Sequence, residues 1–175
     1  MVRRVVTGLD EAGQPCVVSD GEPPVSDQYA HTAGFARSLV WKTGAPPEAL
    51  AESVATNAGD YVPGPGETIA LTVTFPPDAV FGDPGWDPMQ AVGENLAMTP
   101  GLAELFEPDA PGMHTTPTID YVVVLDGKLV LDLDNGRIVE LNPGDIVVQN
   151  ATRHAWRNPG DKPVTIFVSL MGARA

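Results

Sequence analysis

Three side chains in the second half of the chain have the types and spacing to do chemistry together: His114, Asp120 and His154. If the strands that carry them converge, two imidazoles and a carboxylate surround one point. Those donors suit Fe(II), Mn(II), Ni(II) or Zn(II), and ligands on one side of the ion leave positions for substrate, water or dioxygen. A divalent ion so held polarises a carbonyl or lowers the pKa of bound water, which supports decarboxylation, dehydration, enolisation or hydrolysis. With iron and dioxygen the same ligands support oxidative cleavage. Without an ion, His154 and Asp120 form a hydrogen-bonded pair able to do acid–base catalysis or to orient a ligand. Thr116, Gln149 and Trp156 are the candidate substrate contacts: a hydroxyl, an amide for a substrate oxygen, and an aromatic wall sharing strand parity with His154. Tyr121, of opposite parity to Asp120, is expected to face outward, and Arg153 and Arg157 to lie at the surface paired with carboxylates. Ser169 has no His/Asp partner at motif spacing, so nothing signals a serine hydrolase.

The elements that must position these groups are strands. From His114 to Asn158 three short apolar runs are separated by turn chemistry: Asp126-Gly127, Asn135-Gly136 and Asn142-Pro143-Gly144-Asp145. The first two dipeptides enter a tight hairpin at low steric cost, and the third presets one dihedral with proline and absorbs the unusual one with glycine. The pattern predicts an antiparallel meander, with His114, Thr116, Thr118 and Asp120 on one face if the strand already runs through 114. Upstream, residues 2–20 read as a hairpin that extends a sheet or crosses to a partner subunit. Residues 20–34 form a loop in which His31 is expected to be solvated, and Ala36–Lys42 is a strand. Pro46-Pro47-Glu48 opens a short helix through about Ala55. Gly64-Pro65-Gly66 belongs to a connector and is no phosphate loop, since a strand follows it. Thr68–Phe75 alternates cleanly, placing Ile69, Leu71, Val73 and Phe75 on one face.

Residues 82–112 interrupt the β pattern with two short helices. Asp87-Pro88 starts one carrying Met89, Val92 and Leu96 at helical spacing; Thr99-Pro100 starts another carrying Leu102, Leu105 and Phe106. They form a lid or pocket wall, or else cap the barrel or pack on a dimer partner. The run from Pro163 to Met171 is a buried closing strand.

The landmarks from His114 onward are similar to the two motifs of the cupin superfamily, small β-barrels that usually hold one divalent metal. The first family motif runs His-x-His, three or four residues, Glu, six residues, Gly. His114 matches the first histidine, Gly127 the glycine, and Asp120 stands in the glutamate's place. The second runs Pro-x-Gly-x-x-His-x-x-x-Asn; here Gln149 and Ala151 replace the proline and glycine, and His154 and Asn158 match. Pro143-Gly144-Asp145 looks like the turn that precedes it, and the resemblance covers roughly residues 66–172. It implies a metal site of His114, Asp120 and His154. The departures fall on the chemistry: Thr116 replaces the second histidine, a poor ligand, and the aspartate is one methylene shorter than glutamate.

Composition sets the outer bounds. With 43% apolar residues and 175 positions, the chain fits one domain with a full core. Eighteen glycines and eighteen prolines without a period suit an all-β chain with many turns. A net charge of −13 repels nucleic acid and anionic membranes, so neither partner is expected. The lone Cys16 forms no internal disulfide, and no apolar run suggests a signal peptide or membrane span, so a cytoplasmic protein is expected. The expected architecture is an all-β, single-domain cupin-type double-stranded β-helix (jelly-roll) barrel over residues 61–175. An N-terminal β extension over 1–60 packs on it, a helical insertion interrupts it at about 85–110, and pairing is as a homodimer. The expected function is a metal-assisted lyase, a decarboxylase or dehydratase, on a small oxygenated acid, phenolic or polyketide-like substrate. The alternatives are an iron-dependent dioxygenase with the same ligands, a metal-free acid–base cupin, or a non-catalytic small-molecule binder.

Overall fold

The computed structural model describes residues 2–49 and 59–174. The helix predicted from Pro46 through Ala55 falls largely outside the described residues. Among those described, strands dominate. They are β1 (Arg4–Leu9), β2 (Pro15–Gly21), β3 (Val25–Gln28), β4 (Ala36–Thr43), β5 (Thr68–Phe75), β6 (Thr118–Asp126), β7 (Leu129–Asp132), β8 (Ile138–Leu141), β9 (Ile146–Asn150), β10 (Ala155–Arg157) and β11 (Val164–Gly172). No helix among the described residues is long and apolar enough to cross a membrane.

The pairing is not a meander. The large sheet runs β3-β4-β5-β11-β6-β9, a smaller one runs β10-β7-β8, and β1-β2 stands as a separate hairpin. Of the three predicted turns, Asn135-Gly136 alone closes a hairpin of paired neighbours, β7 and β8; there Asp134, Asn135 and Gly136 have φ of 70°, 52° and 74°. Asp126-Gly127 instead carries the chain from the large sheet to the small one. A turn dipeptide specifies a reversal and not the partner, and two sheets with apolar inner faces must oppose each other to bury them. The result is an all-β jelly-roll barrel, closed across the two sheets. β3 and β4 are strands of its large sheet, so part of the predicted N-terminal extension is barrel wall.

Inner-face residues follow the period of two. On β6 the buried positions are Thr118, Asp120, Val122 and Val124; on β11 they are Val164, Ile166, Val168 and Leu170. Register aligns Leu71, Val168 and Val122 in one apolar row across three strands. One row further, Ile69, Leu170, Asp120 and Gln149 lie side by side. The core thus changes from aliphatic to polar within two residues, and Leu129, Leu131 and Leu141 of the small sheet close the apolar side.

The insertion holds α1 (Pro88–Met98), whose N-cap Asp87 accepts from the N–H groups of Met89 and Gln90 as its sequence implies. Its apolar stripe, however, faces solvent: Met89 is 78% exposed, Val92 55% and Leu96 41%. Polar ties dock the helix instead, with Glu94 accepting from the N–H groups of Ala30 and His31 at 2.6 and 2.8 Å. The second predicted helix is a single 3-10 turn, Ala103–Leu105, because Pro100 and the left-handed Gly101 (φ 82°) break the chain before it.

Candidate functional site

β6 begins at Thr118, so His114 reaches the site by another route. His114 and His154 pair through an isolated bridge, each N–H donating to the other's carbonyl at 3.0 Å. That bridge sets the imidazoles side by side, with ring centroids 4.3 Å apart. Phe106 stacks on the outer side of the pair, 4.5 Å from the His114 ring, and Trp156 meets His154 edge-on at 5.6 Å.

Both rings are held in one tautomer. His114 Nδ1 lies 3.1 Å from the Gly112 carbonyl and His154 Nδ1 2.9 Å from that of Thr152. A carbonyl only accepts, so each Nδ1 carries the proton and each Nε2 keeps its lone pair. Burial lowers the His114 pKa, and burial together with the neighbouring His114 lowers that of His154 to about 4. The pair is therefore neutral near pH 7, in the protonation state and tautomer of a metal-ligating histidine.

Asp120 projects from the inner face of β6 between Leu170 of β11 and Gln149 of β9. Burial pushes its pKa up to about 6, opposed by the Thr118 hydroxyl, and its Oδ1 is buried with no hydrogen-bond partner. Thr118 Oγ1 donates to Thr116 Oγ1 at 2.7 Å, so two buried hydroxyls line the strand beside the carboxylate. The expected three-ligand set is not assembled: among the described residues no three His, Cys, Asp or Glu side chains form a group able to share an ion. The structure brings the two histidines together and leaves Asp120, on its short arm, as a separate carboxylate. Each imidazole still offers an Nε2 lone pair, the donor a divalent ion takes.

Gln149 takes a different part from the one expected. Its Nε2 donates to the Thr152 carbonyl at 2.7 Å, the oxygen that also meets His154 Nδ1, so the amide braces the histidine's loop. Trp156 is partly buried against the core and walls the site beside His154. Tyr121 faces outward, 50% exposed. Arg153 grips Glu107 through two 2.7 Å bonds and pairs with Asp134, while Arg157 pairs with Asp132 and donates to the Pro111 carbonyl. Both arginines are surface-paired as their parity implies, and both pin the segment that leads into His114. His31 is exposed, on the loop whose N–H groups bond Glu94 of α1.

Three contributors had weak signals in the sequence. Phe106 read as a helix-face residue and is the lid on His114. Asn158 is 1% exposed and ties three segments, donating to the carbonyls of Phe75 and Lys162 and accepting from the Gly160 N–H. Ala151 sits at φ 51° on the turn before His154, where the family motif carries glycine. An L-residue there is strained by about 1 kcal/mol, so Ala151→Gly is expected to stabilise the protein by roughly 0.5–1 kcal/mol in denaturant unfolding, with metal binding unchanged.

Residues 104–170 match the profile of the cupin domain. That stretch is a cupin domain. Of its curated relatives, phomopsin biosynthesis cluster protein C′ of Diaporthe leptostromiformis is 54% identical over 46 residues, 26% of this chain and 24% of that protein. The cupin-domain-containing oxidoreductase fogC of Aspergillus ruber is 29% identical over 135 residues, 72% of this chain and 66% of the relative. The matches to the phomopsin and oryzine cluster proteins span only about a quarter of those relatives' lengths. Among solved structures, a Klebsiella pneumoniae protein with a double-stranded β-helix domain aligns with a TM-score of 0.45 at 15% identity, covering 85% of this chain and 84% of its own.

Proposed function

We propose that this cupin is a metal-assisted lyase, a decarboxylase or dehydratase of small oxygenated molecules such as keto or hydroxy acids, phenolics or polyketide-like compounds. His114 and His154 hold the ion and Asp120 moves the proton. A divalent ion bound there polarises a carbonyl or hydroxyl oxygen of the substrate. The observation that carries the reading is Asp120 itself: a buried carboxylate with an unpartnered oxygen and a pKa of about 6, close enough to neutrality to work in both protonation states. As a base it takes the proton from a carbon next to a carbonyl. In dehydration it returns that proton to the departing hydroxyl; in decarboxylation no carbon proton is taken, and the protonated Asp120 donates to the carbanion left by loss of carbon dioxide and is reprotonated from water. Phe106 and Trp156 flank the imidazoles and keep bulk water from the reacting atoms, and the Thr116 and Thr118 hydroxyls give the carboxylate side its polar lining. The names of relatives in fungal biosynthesis clusters support a small-molecule substrate.

Incubating carbonyl and hydroxy-acid candidates with the protein in deuterium oxide tests this directly. Exchange at the carbon next to the carbonyl, lost in Asp120→Asn and independent of dioxygen, is the expected result. Substrate consumption only with stoichiometric oxygen uptake would favour the second reading, an iron-dependent dioxygenase, for which the oxidoreductase names of three relatives speak. Metal analysis of protein purified without chelator should show His114→Ala and His154→Ala each losing the bound ion, and Asp120→Asn retaining it.

A further inference from the structure

Arg37 is a cation buried on the inner face of β4, and the acid–base chemistry does not use it. Its guanidinium donates to Asp27 on β3, to the Tyr29 hydroxyl at 3.2 Å and to the carbonyl of Met98, the last residue of α1, at 2.7 Å. It also lies 4.1 Å from the centre of the Tyr61 ring. A helix C-terminus carries partial negative charge, so a cation there fixes where the helix ends. From Met98 onward the chain is bonded step by step. Thr99 donates to Asn95, Ala103 N–H to the Thr99 carbonyl and Phe106 N–H to the Ala103 carbonyl, while Tyr61 N–H holds the Pro100 carbonyl. The series ends with Phe106 lying on His114.

We propose that Arg37 is a positioning residue for the site: by holding the end of α1 it sets Phe106 on the His114 ring and so fixes that imidazole beside His154. Stability alone does not account for it. A buried ion pair is often no better than an apolar residue of its size, and Arg37 Nε is buried without a partner, a further cost. The inference rests on the reading of His114 as a site residue, but its test needs neither turnover nor metal.

The chain has three histidines, and exposed His31 serves as the internal reference. In metal-free full-length protein, Phe106→Ala calibrates the ring-current effect of the stacked phenyl group on the His114 ring-proton signals. Arg37→Met should move those signals in the same direction and by most of the same amount, with the exposed His31 ring, whose backbone is bonded to α1 through Glu94, moved by much less. Arg37→Lys, which keeps the charge but loses the planar contact with Tyr61, should give a smaller shift in the same direction and reads the effect if the methionine variant does not fold. Folded Arg37 variants with His114 signals at their original positions would overturn the proposal. So would equal displacement of all three histidines, which would mark a general loss of packing.

Discussion

Replacing Asp120 with asparagine is expected to make the protein more stable near pH 7 by about 1–3 kcal/mol while lowering turnover by roughly 10²–10⁴-fold. Its folded pKa of about 6 stands above the ordinary 3.8. A carboxyl whose pKa is raised by folding contributes stability that is fully present below the unfolded pKa and is lost as pH rises through the folded one. Near pH 7 the wild type therefore bears an ionised carboxylate that the fold disfavours, and the shift corresponds to about 3 kcal/mol. Asparagine cannot ionise; its amide N–H, facing the same unpartnered surroundings, returns part of the gain.

The histidines act in the opposite sense. His154 is depressed to about 4 from 6.5, so its contribution is present above the unfolded pKa and lost as pH falls toward 4. In the wild type the two slopes oppose each other between about pH 4 and 6, and in Asp120→Asn only the histidine slope remains. Denaturant unfolding of both proteins across that range checks the sign. An asparagine variant no more stable than wild type near pH 7 would show that Asp120 is solvated or paired there.

Gly172→Ala is expected to destabilise the barrel by about 3 kcal/mol or more. Gly172 ends β11 against the connector: its N–H donates to the Glu67 carbonyl, its own carbonyl accepts from Gly66, and it pairs with Thr118 at the start of β6. A Cβ there would run into the carbonyl group of Gly64 and the Pro63 oxygen, which are backbone atoms and cannot rotate away. The strain would fall on the strand that carries Thr118 and Asp120. Gly136→Ala is the comparison: its φ is 74°, yet nothing lies near the added methyl, so only the dihedral cost of about 1 kcal/mol applies. Equal unfolding midpoints for the two variants would mean the connector yields.

The strands were legible because period-two alternation survives wherever one face is buried, as in Thr68–Phe75 and in the Val122 and Val124 positions of β6. What pairs with what was not legible. Asp126-Gly127 has the composition of a hairpin, but the partner of β6 is set by the opposed apolar faces of two sheets, which no local dipeptide encodes. The Met89, Val92 and Leu96 spacing signalled the helix, but not how it docks on the barrel, which Glu94 and Arg37 do through polar bonds. At the site, the spacing to His154 located the imidazole pair. That Asp120 stands apart from it, and that Gln149 is committed to the Thr152 carbonyl, depend on side-chain reach and register rather than on residue type. Ala151 was visible as a departure from a motif, and its positive φ explains why glycine is the residue the motif carries there.

Titrating metal-free protein with Mn(II) while following the three histidine ring signals by NMR tests the central claim most directly. One equivalent of the ion should broaden the His114 and His154 signals together and leave His31 sharp. Signals from both site histidines that stay sharp, or broadening shared equally by His31, would contradict a single ion held between the two Nε2 atoms.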